Sequence, residues 1–145
     1  MVRQSQNSPQ ESRLILVDSS IWIDFFSSRP GPAGAELRRM IVEDEPFALT
    51  GIIVIEVLQG LKGEAAKIAH YLSLWDMLEP AGFSTYAQAA SISRHARSKG
   101  VSITTIDALV AATALEHGAT IFTLDRDFSR IARFTPLRLH PLTRR

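Results

Sequence analysis

Four carboxylates stand where apolar segments begin or end. Asp18 closes the run "LILV", and Asp125 follows "TIFTL", each the first charged group after an apolar stretch. Asp107 opens "TTIDALVAATALEHG", and Glu56 interrupts "IIVIEVLQGL", the most apolar surroundings of any acid in the chain. Taken singly, each has a structural explanation. Asp18 can turn the chain through an Asx-turn, Thr104 and Asp107 fit a capping box, and Asp125 can cap "RDFSRIA". Glu56 can share a solvated helix face with Gln59, Gly60 and Gly63. As a set they imply more. Converging carboxylates cannot all stay ionised at short range without a cation, because mutual repulsion raises their pKa values or opens the site. A divalent cation held by oxygen alone resolves the conflict. The chain has no cysteine, and His70, His95, His117 and His140 lack the H-x-x-x-H spacing of a zinc helix. Hard oxygen donors without thiolate select Mg²⁺, or Mn²⁺, over zinc.

The elements that must carry these acids follow from periodicity. Residues 14–17 form a continuous apolar run, the pattern of a strand buried on both faces. Ile21, Trp22, Phe25 and Phe26 recur at helical spacing, and residues 27–34, with two prolines and two glycines, break that helix. A helix restarts over 35–43 and a second strand over 47–49. Residues 52–55 stay ambiguous: four β-branched side chains favour strand, whereas the following "EVLQGL" continues as helix. Helices are expected over 64–77 and 83–99. A well-marked helix runs from the Thr104 cap to the stop at Gly118, and "ATIFTLD" and "PLRLHPL" read as strands. Strands alternate with helices, which predicts a three-layer α/β/α sandwich with a mostly parallel central sheet. In such a sheet the functional crevice lies beyond the carboxyl ends of the strands, where Asp18 and Asp125 stand.

A chain of 145 residues that is 46% hydrophobic closes one core. The polar opening, residues 1–13, reads as a flexible leader, residues 14–140 as the domain and residues 141–145 as a basic tip. No apolar stretch approaches the roughly 20 residues of a membrane-spanning helix, and residues 1–13 lack a signal-peptide core, so a cytoplasmic protein is expected. The net charge is only +1, yet residues 126–145 hold six arginines against Asp127. Arg94, Arg97, Arg126 and Arg130 could line a phosphate track around an acidic centre, with surface solubility as the plain alternative. The aromatic segment 21–26 reads as core, with part of it open to a partner helix.

"ILVDSSIWIDFF", "IEVLQGL" and "TTIDALVAATALEHGATIFTLDRDF" together resemble the PIN-domain ribonucleases, specifically the VapC-type toxins of bacterial toxin–antitoxin pairs. The resemblance covers residues 14–139, and its most specific piece is the block 105–128. It implies that Asp18, Glu56, Asp107 and Asp125 are catalytic metal ligands, with Asp127 a further acid of the metal site. It implies a helix over 53–61, against β propensity. Ser19, as a serine after Asp18, and Thr123 match small hydroxyl positions that hold ligand carboxylates. Also implied are hydrolysis of RNA phosphodiester bonds to 5′-phosphate products, a VapB-type antitoxin partner, a homodimer and a toxin–antitoxin hetero-oligomer. Two features depart from the family: the leader is longer than usual, and the C-terminal arginines lie outside the motif.

Competing readings share the acids. A receiver-like phosphoacceptor domain also gathers carboxylates around Mg²⁺, but expects adjacent acids after its first strand and a late lysine; here serines follow Asp18 and no lysine follows Lys99. A HAD-type phosphatase needs a second aspartate where Ser20 stands. A non-catalytic PIN-like scaffold loses its acids, and this chain keeps four.

Overall fold

In a computed structural model, residues 14–61 and 63–143 are described. The expected leader and the last two residues of the basic tip therefore lie outside the described residues. The elements run β1 (Ile15–Val17), α1 (Ser19–Phe25), α2 (Pro32–Val42), β2 (Phe47–Leu49), α3 (Gly51–Gln59), α4 (Ala65–Leu72) and β3 (Asp76–Met77). They continue as α5 (Phe83–Ser98), α6 (Thr105–His117), β4 (Thr120–Phe122), α7 (Arg126–Ala132) and β5 (Arg138–Leu139).

The five strands form one sheet in the order β3-β2-β1-β4-β5, and every pairing is parallel. β1 is central, with Leu16 opposite Ala48 on one side and Ile121 on the other. The chain runs from β1 outward through β2 to β3, then back across to β4 and β5, and the right-handed connection rule for parallel strands divides the helices between the two faces. α1 packs on α2 and α3, and α3 on α4; α5, α6 and α7 pack on one another. The result is the expected α/β/α sandwich. The direction of winding reverses between β1 and β4, where a crevice opens at the carboxyl edge.

Burial explains the strands. Leu16, Val17, Ala48, Leu49, Ile121 and Phe122 are wholly inaccessible to solvent. A sheet covered on both faces needs no polar alternation, which is why β1 reads as an unbroken apolar run. α6 is buried nearly all round through Ala108, Val110, Ala111, Ala112, Thr113 and Ala114, and its alanines let α5 and the sheet approach closely. It ends at Gly118, whose φ of 65° costs a glycine little. Trp22 is fully buried among Phe25, Phe26, Phe47 and Tyr71. The core reading of the aromatic segment therefore describes Trp22, with Phe25 and Phe26 half-buried around it.

Three local expectations need correction or resolution. Residues 52–55 are helical: the Thr50 side chain accepts from the Ile53 N–H at 3.2 Å and caps α3, while Ile53 and Val57 enter the core. A cap and tertiary burial outweigh β propensity there. The single helix expected over 64–77 stops at Leu72, and Asp76–Met77 pairs with β2 instead. That strand is two exposed residues at the sheet edge, too short and too polar to leave a periodic signal. The break expected over 27–34 is shorter, because α2 already starts at Pro32. The Asp24 carboxylate, projecting from α1, accepts from Gly31 N–H at 3.0 Å and Gly34 N–H at 2.7 Å, serving as a cap from outside the helix. A Cβ on Gly34 would lie 2.9 Å from Asp24 Oδ2 and 3.0 Å from Phe25 Cα, so the crossing requires glycine.

Candidate metal centre

Asp18 follows β1 directly, and its N–H still bonds the Phe122 carbonyl at 2.9 Å, so the side chain emerges where the central strands end. It is 5% exposed. Its Oδ2 accepts from Thr123 Oγ1 at 2.7 Å and Ser20 Oγ at 2.9 Å. Burial raises the Asp18 pKa, opposed by those hydroxyls and by the backbone N–H groups of Ser19 and Ser20. Glu56 reaches the same crevice from α3, and Ser19 Oγ donates to its Oε1 at 2.9 Å. Desolvation, and then the charges of Asp18 and Asp125, push Glu56 upward.

The opposite wall is built by two helix starts. Thr104 Oγ1 accepts from the Asp107 N–H at 3.0 Å, fixing the first turn of α6. Asp125 caps α7 by accepting from the Asp127 N–H at 2.9 Å, while its own N–H donates to Thr123 Oγ1 at 2.9 Å. The capping reading of these acids does not compete with a site reading, because the caps fix the helix starts that carry the carboxylates. Oxygens of Asp107, Asp125 and Asp127 all lie within 4.8 Å of one another. Asp107 is pushed up to about 8, first by burial, then by the charge of Asp125, a hydrogen bond with Asp127 and the charge of Asp18.

These observations test whether a divalent cation fits. Every donor is a hard oxygen, and among the described residues the one salt bridge to any of these acids is Arg130 Nη1 to Asp127 Oδ1 at 2.7 Å. Burial first, and then the neighbouring carboxylate charges, hold Asp107 well above the ordinary carboxylate range, and a cation would relieve the charge part. The donor set fits Mg²⁺ or Mn²⁺ by its chemistry.

Two supporting residues escaped sequence reasoning. Ser20 donates to Asp18 and accepts from the Leu124 N–H at 2.9 Å, tying the β1 and β4 loops together. Its only signal was being the second serine after Asp18. Thr143, 4% exposed, accepts from the Thr123 N–H at 3.2 Å and donates to the Ile121 carbonyl at 3.2 Å. It stands in the segment read as a basic tip, and no local pattern marks it. Among the arginines of the expected phosphate track, Arg130 is bound to Asp127, Arg126 is exposed in the first turn of α7, and Arg94 and Arg97 lie along α5 beside α6.

Residues 15–134, which span strands β1 to β4 of the parallel sheet and its winding reversal at β1/β4, match the PIN domain family. The chain belongs to the PIN-domain family. Within it, the chain is similar to Ribonuclease VapC11 of Mycobacterium tuberculosis, 33% identical over 128 residues that cover 86% of this chain and 96% of that protein. FitAcB from Neisseria gonorrhoeae is 26% identical, with a TM-score of 0.68 over 88% of this chain and 97% of that one. The fold is also that of VapBC-5 from M. tuberculosis, a member of the VapBC family of toxin–antitoxin systems, with 14% identity and a TM-score of 0.64 over 91% and 98% of the two chains.

Proposed function

We propose that this chain is a VapC-type toxin, an endoribonuclease that hydrolyses RNA phosphodiester bonds with Mg²⁺ or Mn²⁺ and is neutralised by a VapB-type antitoxin. The observation that carries the reading is the cluster of Asp107, Asp125 and Asp127, whose carboxylate oxygens lie within 4.8 Å of one another, with Asp18 and Glu56 near enough for their charges to act on it, and with Arg130 the one cationic partner among the described residues. Resemblance to relatives named ribonuclease supports RNA as substrate, and their VapC name supports the antitoxin partner. The family match favours hydrolysis over the receiver-like phosphoacceptor.

One or two divalent ions held by these five carboxylates would activate an attacking water and stabilise charge developing on the phosphate. The chain's own residues prepare that site. Thr123 and Ser20 fix one oxygen of Asp18, leaving the buried carboxylate one orientation. Ser19 holds Glu56 toward Asp18 from the facing helix. Thr123 also receives the Asp125 N–H, so one hydroxyl couples the two strand-end acids. Burial and the neighbouring charges push Asp107 up to about 8, and a bound cation would offset the charge part and favour its ionised form. Neither hydroxyl nor carboxylate here selects ribose, so RNA preference arises from contacts beyond the acids.

The test uses the protein purified without a partner. RNA should be cut with Mg²⁺ or Mn²⁺ and left intact with EDTA, and Asp18→Asn or Asp107→Asn should abolish cutting. Full activity in either variant would remove the proposed centre.

A further inference from the structure

Beyond β5 the chain curls at residues 140–143 against the end of β4. The His140 N–H adds one more ladder bond, to the Ile121 carbonyl at 2.8 Å. Continued in register, the parallel ladder would next give the Thr123 N–H to the His140 carbonyl. That carbonyl instead accepts from the Thr143 N–H at 2.8 Å. The Thr143 hydroxyl takes its place: it accepts from the Thr123 N–H at 3.2 Å and donates to the Ile121 carbonyl at 3.2 Å. A side chain therefore replaces a strand at the residue whose own hydroxyl holds Asp18. His140 fastens the turn. Its Nδ1 accepts from the Leu142 N–H at 3.1 Å, its ring stacks on Phe122 at 4.2 Å between centroids, and its Nε2 lies 3.6 Å from Glu36 Oε2 of α2. Thr143 is 4% exposed, so solvent does not compete for its hydroxyl.

We propose that Thr143 is a positioning residue of the metal centre: by holding the Thr123 backbone, it sets the hydroxyl through which Thr123 orients Asp18 and receives the Asp125 N–H. This rests on the metal-dependent RNA-cutting reading above and extends it to a residue outside the acid cluster. Donor and acceptor roles are fixed along the chain of bonds. The Thr143 O–H points at the Ile121 carbonyl, which leaves its lone pairs for the Thr123 N–H. The Thr123 O–H points at Asp18 Oδ2 at 2.7 Å, which leaves its lone pairs for the Asp125 N–H at 2.9 Å. Without the Thr143 hydroxyl a buried N–H loses its acceptor, and the backbone at Thr123 turns to find another. That rotation carries the Thr123 hydroxyl with it, so Asp18 and Asp125 lose their setting together.

Mn²⁺ binding to the whole purified protein is measured by calorimetry, apart from cutting. Thr143→Val keeps the shape and removes both side-chain bonds. It should weaken Mn²⁺ binding by about tenfold, the lower end of what lost support to a metal ligand costs, and Thr143→Ser should restore it. In RNA cleavage at saturating Mn²⁺, kcat should fall by about tenfold while KM holds, because the hydroxyl acts on the acids and not on substrate. Thr85→Val is the matched control. Thr85, 1% exposed at the start of α5, also accepts a backbone N–H, that of Ala81 at 3.0 Å, and its hydroxyl donates to Glu116, outside the acid centre. That variant should lose stability and keep wild-type Mn²⁺ affinity. Wild-type Mn²⁺ affinity in a folded Thr143→Val protein would overturn the proposal, as would a loss that Thr85→Val matches or that Thr143→Ser fails to recover. If circular dichroism shows Thr143→Val unfolded, Thr143→Cys carries the same comparison, since a thiol is a weak donor and a weak acceptor. A wild-type protein whose Mn²⁺ binding depends on Thr143 but which never cuts RNA sinks the nuclease reading and leaves the positioning role standing.

Discussion

Thr123 does more in this site than its size suggests. Its hydroxyl donates to Asp18 and accepts from Asp125, and its own N–H is anchored on Thr143. Thr123→Val keeps the shape and removes both hydroxyl contacts. It should cost about 1–3 kcal/mol of stability, read from urea midpoints, and weaken Mn²⁺ binding about 10- to 100-fold by calorimetry. Asp107 behaves in the opposite sense. Its pKa stands at about 8 in the folded chain and near 4 when unfolded, so the folded state holds a proton that the unfolded state has lost. Stability of the metal-free protein should therefore fall as pH rises from about 4 to about 8, the sign given by proton linkage. Asp107→Asn should make that slope shallower, leaving the part due to Asp18 and Glu56, whose pKa values are also raised. At pH 8 without metal it should raise the Tm by about 2–4 °C, the effect of ~1 kcal/mol in a chain this size. A thermal melt series with and without EDTA checks both statements. Glu56 shows what local reading leaves open: its sequence surroundings suit a solvated helix face equally well, and only the contact with Ser19 shows where its carboxylate is held.

At the scale of elements, the acids are aimed by caps and crossings. Thr104 and Thr50 fix the starts of α6 and α3 through their own hydroxyls; the first was legible as a threonine before an apolar run, while the second emerged only with the structure, which settled residues 52–55 as helix. α2 is different, because its cap comes from Asp24 on another helix. Asp24→Ala should cost about 1–2 kcal/mol by leaving two helix-end N–H groups without an acceptor, measured as a lower urea midpoint with an unchanged m-value. This is why the start of α2 was misplaced by the glycine and proline content of residues 27–34. Composition marks a break, but it cannot show that a carboxylate ten residues upstream in sequence folds back to end the break early. The missed strand β3 has the same kind of cause: Asp76 and Met77 gain strand geometry from the edge of β2, not from their own pattern.

For the molecule as a whole, the acids come from both halves of the sheet, Asp18 and Glu56 from the β1 side and Asp107, Asp125 and Asp127 from the helices around β4. A divalent ion bound across them would staple the two halves, and its effect on stability follows mass action. At a hundred times its Kd, Mg²⁺ should contribute about 2.7 kcal/mol, raising the Tm by about 5–10 °C. Asp18→Asn should erase most of that shift, as scanning calorimetry with and without the ion would show. Among the described residues no helix is long and apolar enough to cross a membrane.

The sequence by itself determined the layers and which acids stand at the ends of elements. A two-sided buried strand demands an unbroken apolar run, a buried helix beside a sheet demands small residues, and helix starts demand capping side chains, so β1, α6 and the placement of Asp18, Asp107 and Asp125 at element ends are all local statements. Tertiary structure decided how those acids meet. Thr123 and Ser20 act on Asp18, Ser19 acts on Glu56, Thr143 supports Thr123, and Arg130 sits on Asp127. Most of these contacts join residues far apart in the chain. A hydrogen bond across such a separation depends on strand order and crossover handedness, which bring β1 and β4 side by side. No local periodicity records that adjacency.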